Sequence, residues 1–344
     1  MSFVGNLDTL VCKSFDLDEL GLKDQIRTTG LGFAKNPKRP ENEWTPEEKL
    51  IDSKMSLQFV SLGSNKGYYT CKIPWKGDGP DLVNNINEVI ARQSRTNAGA
   101  YLSKKGTSID EVNVKLQDHV DKGYIEKIDT KKENIKRIDS YFLSYFPVVN
   151  RTKDTTSLRL VFDAKAKDRS GRSMNGAIEK GPNRLNDLFA ILLRFRRYRY
   201  AFTADVSEMF LRIRLTESDK RYHRFWWNDS FWQWNRILFG NRASPDISQK
   251  VITSHALKLR DSYPEACNAL IDDTYMDDTI VSRPSEGECV KLVEDLPKVT
   301  EGMDMKIQKF YSNSKLTLKS LQKTYYRLRF TLKTRKKFLT VTRF

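Results

Sequence analysis

The order of strand and helix patterns between residues 200 and 313 constrains the fold of this chain more than any other sequence feature. The predicted elements are a strand from Tyr200 to Val206, a helix from Ser244, two strands joined at Asp277-Asp278, a helix from Ser285 and a strand from Met305 to Phe310. With an aromatic insertion after the first strand set aside, this is a β-α-β-β-α-β order. It predicts an α+β fold of the ferredoxin-like kind, an antiparallel sheet with helices on one face.

Local signals predict where these elements begin and end. Ser244 is a predicted N-cap followed by a proline at the first helical position. Ser285 is followed three residues later by Glu288, as in a capping box, and Pro297 is expected to kink or end that helix. The aromatic insertion at residues 225–234 predicts a hairpin whose tryptophans either pack in the core or stack on bases.

Three aspartates fall at one edge of the predicted sheet. Asp205 ends the first strand, and Asp277 and Asp278 lie in the turn between the second and third strands, which we expect to be the two central ones. Converging carboxylates repel one another unless a cation lies between them, and oxygen ligands suit Mg²⁺. Two Mg²⁺ ions about 4 Å apart are a general device for in-line phosphoryl transfer. The alternative is an ordinary solvated turn, and we expect the second acidic pair, Asp272-Asp273, to be such a helix-end or loop feature.

The first third of the chain is predicted to consist of connections around a few elements, because prolines and glycines interrupt it. Two amphipathic helices stand out there, one from about Asp81 and one that begins at Ser108. A charged stretch from Asp129 to Asp139 follows them. We place the main domain boundary near this stretch.

The positive charge of the chain favours a polyanionic partner. Its 344 residues include 60 Lys and Arg against 44 Asp and Glu, a net charge of +16. Nucleic acid is the first candidate and an anionic membrane surface the second. Ten basic residues and no acidic one follow Asn313. A second basic cluster, from Arg194 to Arg199, either contacts phosphates or is a solvated helix end.

The rest of the composition predicts a folded, soluble, intracellular chain. Hydrophobic residues at 39% exclude wholesale disorder. The sequence has no apolar run of membrane-spanning length and no signal-peptide pattern. The four cysteines have no C-x-x-C spacing, so we predict core thiols rather than zinc sites or disulfides.

Five motifs, in order along the chain, resemble those of reverse transcriptases. They are Arg159-Leu160-Val161-Phe162-Asp163, Phe202-Thr203-Ala204-Asp205-Val206, Phe239-Gly240 with Ala243-Ser244-Pro245, Tyr275-Met276-Asp277-Asp278, and Lys309-Phe310 with Ser312-Asn313. Gly181-Pro182-Asn183 and Leu192-Leu193-Arg194-Phe195-Arg196 narrow the resemblance to BEL/Pao-type long-terminal-repeat retrotransposons. The resemblance covers most of residues 10–313 and is weaker in the N-terminal part.

This resemblance implies an RNA-directed DNA polymerase that adds deoxynucleotides to a primer 3′-hydroxyl with two Mg²⁺ ions, or with Mn²⁺ as a substitute. Asp205, Asp277 and Asp278 would be its catalytic, metal-binding triad. The residues implied to bind the incoming deoxynucleotide are Arg159, Phe210, Phe239, Gly240 and Lys309. The residues implied to bind the template and primer are Tyr275, Met276, Arg194 and Arg196.

Each implied nucleotide contact has a physical reason. Arg159 would bind the triphosphate through its planar cation, and Phe210 would exclude a ribose 2′-hydroxyl unless it is an ordinary core residue. Gly240 would let the backbone approach the nucleotide, and Phe239 would pack against its sugar. Lys309 would protonate the leaving pyrophosphate, with a plain surface lysine as the alternative. The histidines match no motif.

The resemblance also divides the chain. The implied segments are 1–128, a pre-polymerase linker region with the start of the fingers; 129–199, fingers; 200–313, palm; and 314–344, a basic tail with a degenerate primer grip and an absent or rudimentary thumb. We interpret the chain as a truncated or decayed copy of a Pol polyprotein, because protease, RNase H and integrase motifs are not found in it. The parent element would supply those segments.

The implied partners are an RNA or DNA template with its primer and deoxynucleotides, and no membrane. The implied location is the cytoplasm, in a virus-like particle of the parent element. The alternative function is a catalytically inactive, nucleic-acid-binding relic of the polyprotein.

Overall fold

The computed structural model describes residues 38–63, 66–136, 139–150 and 158–324. Cys12, the start of the pre-polymerase region and the degenerate primer grip near Tyr326 lie outside the described residues. The chain divides into two compact units. Unit 1 comprises Met1–Glu41, Asn183–Glu208 and Gln249–Phe344, and unit 2 comprises Asn42–Pro182 and Met209–Ser248.

The elements of the first half, in chain order, are α1 (Pro46–Lys54), β1 (Leu57–Gly63), β2 (Lys66–Cys71), α2 (Ile86–Thr96), α3 (Gly99–Lys104), α4 (Ile109–Asp121), β3 (Ile125–Lys127), β4 (Tyr145–Val149), β5 (Leu158–Phe162), α5 (Met174–Ala177) and α6 (Leu188–Phe195). Those of the second half are β6 (Tyr200–Ser207), β7 (Arg214–Leu215), α7 (Glu217–Lys220), β8 (Arg224–Trp227), β9 (Ser230–Trp234), α8 (Ser244–Leu259), α9 (Pro264–Asp272), β10 (Thr274–Tyr275), β11 (Asp278–Arg283), α10 (Glu286–Glu301), β12 (Lys306–Ser312) and α11 (Lys315–Thr324). Short 3₁₀ helices lie at Glu41–Glu43 and Met209–Arg212.

Unit 1 contains the predicted β-α-β-β-α-β sheet, and the α+β class is confirmed. Its four strands have the order β10-β11-β6-β12, and all three pairs are antiparallel. The expectation that the second and third strands are the central ones is wrong. The central pair is β6 and β11, the first and third, because the two-residue β10 lies at the edge of the sheet.

Helix α10 covers this sheet. It packs against β6, β11 and β12, and α9 packs against β10, β11 and α10. Phe202 and Ile280 of the two central strands and Leu292 of α10 are all at most 1% exposed. Since β11 is buried along five of its six residues, the sheet is a stable support for the turn that precedes it.

Two expectations about helix ends need correction. Helix α10 begins after its Ser285 N-cap as predicted, but it does not end at Pro297, because it continues to Glu301. Burial of Val299 and Thr300 explains this, since packing of the last turn outweighs the lost hydrogen bond. Ser244 is the first residue of α8 rather than its cap, because its hydroxyl donates to the carbonyl of Leu238 at 2.7 Å.

Unit 2 is built on three small sheets. Their strand orders are β1-β2-β7, β3-β9-β8 and β4-β5. The predicted aromatic hairpin is confirmed as β8 and β9, joined by Asn228 and Asp229, both with φ +49. This is the geometry of a type I′ turn, which suits a two-residue hairpin. Trp227 and Trp234 are buried, which supports the core interpretation for these two side chains.

The two N-terminal helices predicted from periodicity are present in unit 2. Helix α4 begins after Ser108, whose hydroxyl accepts from the Glu111 N–H as predicted. Helix α2 begins at Ile86, five residues later than expected. The reason is Asn85, whose side-chain amide is bonded in both directions to the backbone of Phe142 and does not cap the helix.

Two further expectations concern composition. Cys71, Cys267 and Cys289 are free and buried, so these three cysteines are confirmed as core thiols. In the described part of the chain, no helix combines the length and apolar character needed to cross a membrane. The segment boundaries at 128, 199 and 313 remain predictions. The two compact units are assembled from separate parts of the chain and do not test these boundaries.

Candidate functional site

The sequence Tyr275-Met276-Asp277-Asp278 forms the tight connection between β10 and β11 in unit 1. Tyr275 and Asp278 are paired residues, so Met276 and Asp277 form a two-residue turn. Met276 has φ +55, in the left-handed region that a tight turn of this kind requires. In a regular strand, the adjacent side chains of Asp277 and Asp278 would lie on opposite faces of the sheet. The turn removes this alternation, so both aspartates can approach the same end of the central strands, which we call the aspartate edge.

The strand register brings Asp205 to the same edge. Asp205 of β6 is paired with Asp278 of β11, and the N–H of Val206 donates to the carbonyl of Asp277 at 2.7 Å. All three predicted aspartates therefore lie at neighbouring positions where the two central strands end. The convergence inferred from the predicted topology is confirmed at the level of backbone position.

Helix α8 holds the turn from its other side. The side-chain amide of Gln249 donates to the carbonyl of Met276 at 2.9 Å, and Gln249 is buried. Asn186 is also buried and donates to the carbonyls of Ile271 and Thr274 at 2.8 and 2.9 Å. These two amides fix the chain on either side of β10. Sequence reasoning missed both, because a single amide has no motif until the fold supplies its partner.

A basic residue lies at the edge with the aspartates. The Nζ of Lys309 lies 3.2 Å from Oδ2 of Asp205. Lys309 has φ +53 and belongs to a bulge in β12, where two residues lie opposite one on β6. The bulge thus brings Lys309 to Asp205, and its expected action on the leaving pyrophosphate stays a prediction.

The donor set suits Mg²⁺ by its chemistry, since all three residues offer carboxylate oxygens. Asp278 is buried, and Asp205 and Asp277 are partly exposed, so solvent reaches the edge. Within the described ranges, however, no three His, Cys, Asp or Glu side chains already form a cluster that could hold a metal ion. The register brings the three aspartates to neighbouring backbone positions, and in this arrangement the Lys309 ammonium contacts Asp205.

Arg194 and Arg196 lie at the end of α6 in unit 1. The Nε of Arg194 donates to Oδ1 of Asp273 at 2.7 Å, and its Nη2 donates to the carbonyl of Asp272. Arg194 thus ties α6 to the end of α9, while Arg196 is exposed. Burial raises the pKa of Asp273, and the hydrogen bond from Arg194 opposes that shift. The expectation that Asp272-Asp273 ends a helix is confirmed.

The Ser312-Asn313 pair of the last motif holds β12 to the central strand. The hydroxyl of Ser312 donates to the carbonyl of Ala201 at 2.7 Å. The side-chain oxygen of Asn313 accepts from the N–H of Ala201, and its amide donates to the carbonyl of Arg199. These contacts fix the register of β12 and, with it, the position of Lys309.

Phe210, Phe239 and Gly240 lie together in unit 2. The rings of Phe210 and Phe239 meet edge to face with centroids 4.7 Å apart. Phe210 is 5% exposed and Phe239 is 59% exposed. Gly240 has φ +93, and a Cβ there would lie 3.2 Å from the carbonyl oxygen of Phe162, so only glycine fits without strain. The structure brings these three predicted residues into one group.

Arg159 belongs to a separate part of unit 2. It lies on β5, opposite Val148 of β4, and its side chain is exposed. An exposed arginine on a two-stranded hairpin is available to a phosphate. The structure places Arg159 on this hairpin, and its role in binding the triphosphate stays a prediction.

His119, His223 and His255 are all buried. Burial lowers the pKa of His223 and of His255 to about 4. Nδ1 of His223 is 2.9 Å from the carbonyl of Asp219. Both rings are core groups of their units, consistent with the absence of any motif around them.

Comparison with known proteins gives structural neighbours only. No family model matches the chain, and no curated protein matches it. The prototype foamy virus protease-reverse transcriptase, as a CSH mutant, has 16% identity and a TM-score of 0.47 over 76% of this chain and 32% of that chain. The foamy viral enzyme in complex with an RNA/DNA hybrid has 18% identity and a TM-score of 0.44 over 76% of this chain and 30% of that chain.

A third neighbour is the foamy viral enzyme in complex with double-stranded DNA, at 16% identity and a TM-score of 0.42, over 75% of this chain and 39% of that chain. This chain thus spans about a third of the length of these neighbours. TM-scores below 0.5 at such identities are too low to carry an argument about function.

Proposed function

We propose that this chain is the fingers and palm segment of a retrotransposon reverse transcriptase, an RNA-directed DNA polymerase. The observation that carries the proposal is the pairing of Asp205 with Asp278, next to a two-residue turn that contains Asp277. Three acidic residues from two chain segments meet at one sheet edge only because the fold has this register. A solvated turn would not need a third aspartate opposite it.

The proposed chemistry is in-line attack of a primer 3′-hydroxyl on the α-phosphate of a deoxynucleotide. Mg²⁺ or Mn²⁺, when bound, would stabilise the attacking and leaving oxygens. Asp205 and Asp277 would be the main ligands and Asp278 the supporting one. Gln249 and Asn186 would keep the aspartate turn in position, since a site that must hold ions needs a fixed backbone.

The roles of the remaining residues are proposed from the same resemblance. Arg159 would bind the triphosphate, and Phe210 would discriminate against ribonucleotides. Phe239 and Gly240 would face the nucleotide, and Lys309 would act on the leaving pyrophosphate. Contacts to template and primer are proposed for Tyr275, Met276, Arg194 and Arg196. Arg196 is exposed, whereas Arg194 already donates a hydrogen bond to Asp273.

Primer extension is the direct test of the proposal. The full chain is incubated with poly(rA)/oligo(dT), dTTP and Mg²⁺, and the products are separated by length. We expect extension that stops when the metal is chelated. No extension with either Mg²⁺ or Mn²⁺ would contradict polymerase activity of this chain.

A second candidate is a nucleic-acid-binding relic without catalysis. It is favoured by one observation, namely that the described carboxylates do not already form a metal cluster. This candidate predicts binding to an RNA/DNA duplex that weakens steeply with salt and survives Asp205→Asn. Binding without extension in the same preparation would select it over the polymerase.

We further propose a BEL/Pao-type parent element, with protease, RNase H and integrase encoded beside this segment and assembly in cytoplasmic virus-like particles. The motif wording around Gly181 and Leu192 supports this origin. The flanking DNA tests it: adjoining reading frames for these enzymes between terminal repeats are expected. A cellular gene on both sides would contradict the proposed origin.

A further inference from the structure

An ion pair between Lys309 and Asp205 lies at the aspartate edge of unit 1. The ammonium nitrogen is 3.2 Å from Oδ2 of Asp205. The side chains are 42% and 22% exposed, respectively. The pair is therefore open to solvent and to dissolved ions, and its charges can exchange partners.

The backbone of β12 is bent where this contact is made. Gln308 is paired with Asp205 and Tyr311 with Thr203, so Lys309 and Phe310 together lie opposite Ala204. Lys309 has φ +53, a conformation that costs free energy for any residue except glycine. In a regular strand, Lys309 would alternate to the face opposite that of Gln308 and Asp205. The bulge thus re-aims the lysine.

We propose that Lys309 is a built-in competitor of divalent cations for Asp205, so that the ion pair restrains metal entry until the lysine leaves. This inference rests on the proposed function, because it concerns the regulation of the same site. The ammonium and a divalent ion bind the same carboxylate oxygen, and two cations on one oxygen repel each other. They are alternative partners rather than joint ones.

A direct consequence concerns the order of events at the edge. An ion that binds Asp205 breaks the pair and frees the ammonium, which remains attached to the same strand. The lysine then becomes available to a second anion beside the site. Metal binding and the availability of Lys309 are coupled by this exchange, and by linkage the coupling acts in both directions.

The test measures binding of Mn²⁺ to the full chain without nucleic acid, from the free-ion signal in electron paramagnetic resonance. We expect Lys309→Met to bind Mn²⁺ about fivefold more tightly than the wild type, a factor that corresponds to about 1 kcal/mol. Lys309→Gly should tighten binding equally, because it removes the same charge and also relieves the backbone. Lys309→Arg keeps the charge and should stay within about twofold of the wild type.

Lys306→Met is the matched control for a general loss of positive charge, since Lys306 lies on the same strand opposite Ser207. It should change the affinity less than about twofold. Circular dichroism checks the fold of each variant, and Lys309→Gly carries the test if Lys309→Met does not fold.

The outcomes separate this inference from the proposed function. Equal Mn²⁺ affinity in the wild type and both neutral Lys309 variants overturns the competition, while the proposed metal site still stands if Asp205→Asn weakens binding. Equal tightening by Lys306→Met also overturns it, because the effect would then be general. Absence of Mn²⁺ binding in every variant overturns both the competition and the proposed two-metal function.

Discussion

Asp205 and Asp278 are directly opposed residues of the two central antiparallel strands of the unit 1 sheet. Directly opposed like charges destabilise a sheet unless something compensates them. Lys309 supplies part of that compensation through its contact with Asp205. A pairing that costs stability and lies at a solvent-accessible edge is expected where a site uses the charges.

Gln249→Leu should weaken the aspartate turn. The substitution leaves the carbonyl of Met276 without its 2.9 Å partner, which we expect to lower the free energy of unfolding by about 1–3 kcal/mol. Primer extension should fall as well, because Met276 would lose its restraint and Asp277, the next residue, would then be less firmly positioned. Urea denaturation measures the stability change. Leu257→Ala on the same helix is the control, because Leu257 is exposed and should change stability by less than about 0.5 kcal/mol. Equal stability of Gln249→Leu and the wild type would contradict the proposal that Gln249 holds the aspartate turn in position.

Phe210→Val should allow ribonucleotides to be incorporated. We expect the preference for deoxynucleotides, as a ratio of kcat/KM values, to fall by about tenfold, because a lost clash of about 1.4 kcal/mol gives that factor. Phe142→Leu is a matched core substitution, since Phe142 is also buried in unit 2. It should lower stability and leave the preference intact. If Phe210→Val changes only stability, Phe210 is an ordinary core residue.

Acid should destabilise the fold through its buried histidines. The pKa values of His223 and His255 are about 4 in the folded chain because of burial, below the unfolded value near 6.5. The unfolded chain therefore binds protons first as the pH falls below 6.5. Each histidine should lower the free energy of unfolding by roughly 1.4 kcal/mol per pH unit in the window from 6.5 down to 5. Denaturation at several pH values measures this slope, and His255→Leu should reduce it by about half. A flat profile in this window would contradict the assignment.

Asp229→Gly should stabilise the aromatic hairpin. Asp229 has φ +49, and glycine adopts this conformation without steric cost, so a gain of about 0.5–1 kcal/mol is expected. Thermal unfolding measures the gain. Asn228→Ala should have the opposite effect, because alanine resists the φ of +49 at that position. A loss of stability in Asp229→Gly would mean that the aspartate side chain contributes more than its backbone costs.

The β-α-β-β-α-β order was predictable because it depends on period-2 patterns and on turn residues that are local in sequence. The convergence of the aspartates was predictable from the ferredoxin-like topology that this order indicates. The identity of the central strands was not predictable, because it depends on where β10 lies in the sheet. A strand of two residues has almost no sequence pattern that could indicate this position. The Ser244 cap and the end of α10 were misjudged because buried tertiary contacts outweigh local signals there.

The amide clamps and the lysine contact could not be predicted for a related reason. Gln249 and Asn186 bind backbone carbonyls that are distant in sequence, so only the fold reveals them. The Lys309 motif predicted a residue near the site. The bulge that pairs it with Asp205 is a property of strand register, and the sequence of β12 carries no glycine that would have indicated it.

The central claim is that the aspartates at this edge perform nucleotidyl transfer. Its most direct test is primer extension on poly(rA)/oligo(dT) by Asp277→Asn beside Asp272→Asn, an isosteric change at an exposed helix-end aspartate. We expect Asp277→Asn to lose at least about a hundredfold of the wild-type rate, because removal of one main metal ligand leaves charge uncompensated in the transition state. Asp272→Asn should retain the wild-type rate. Equal extension by the wild type and Asp277→Asn would contradict the claim.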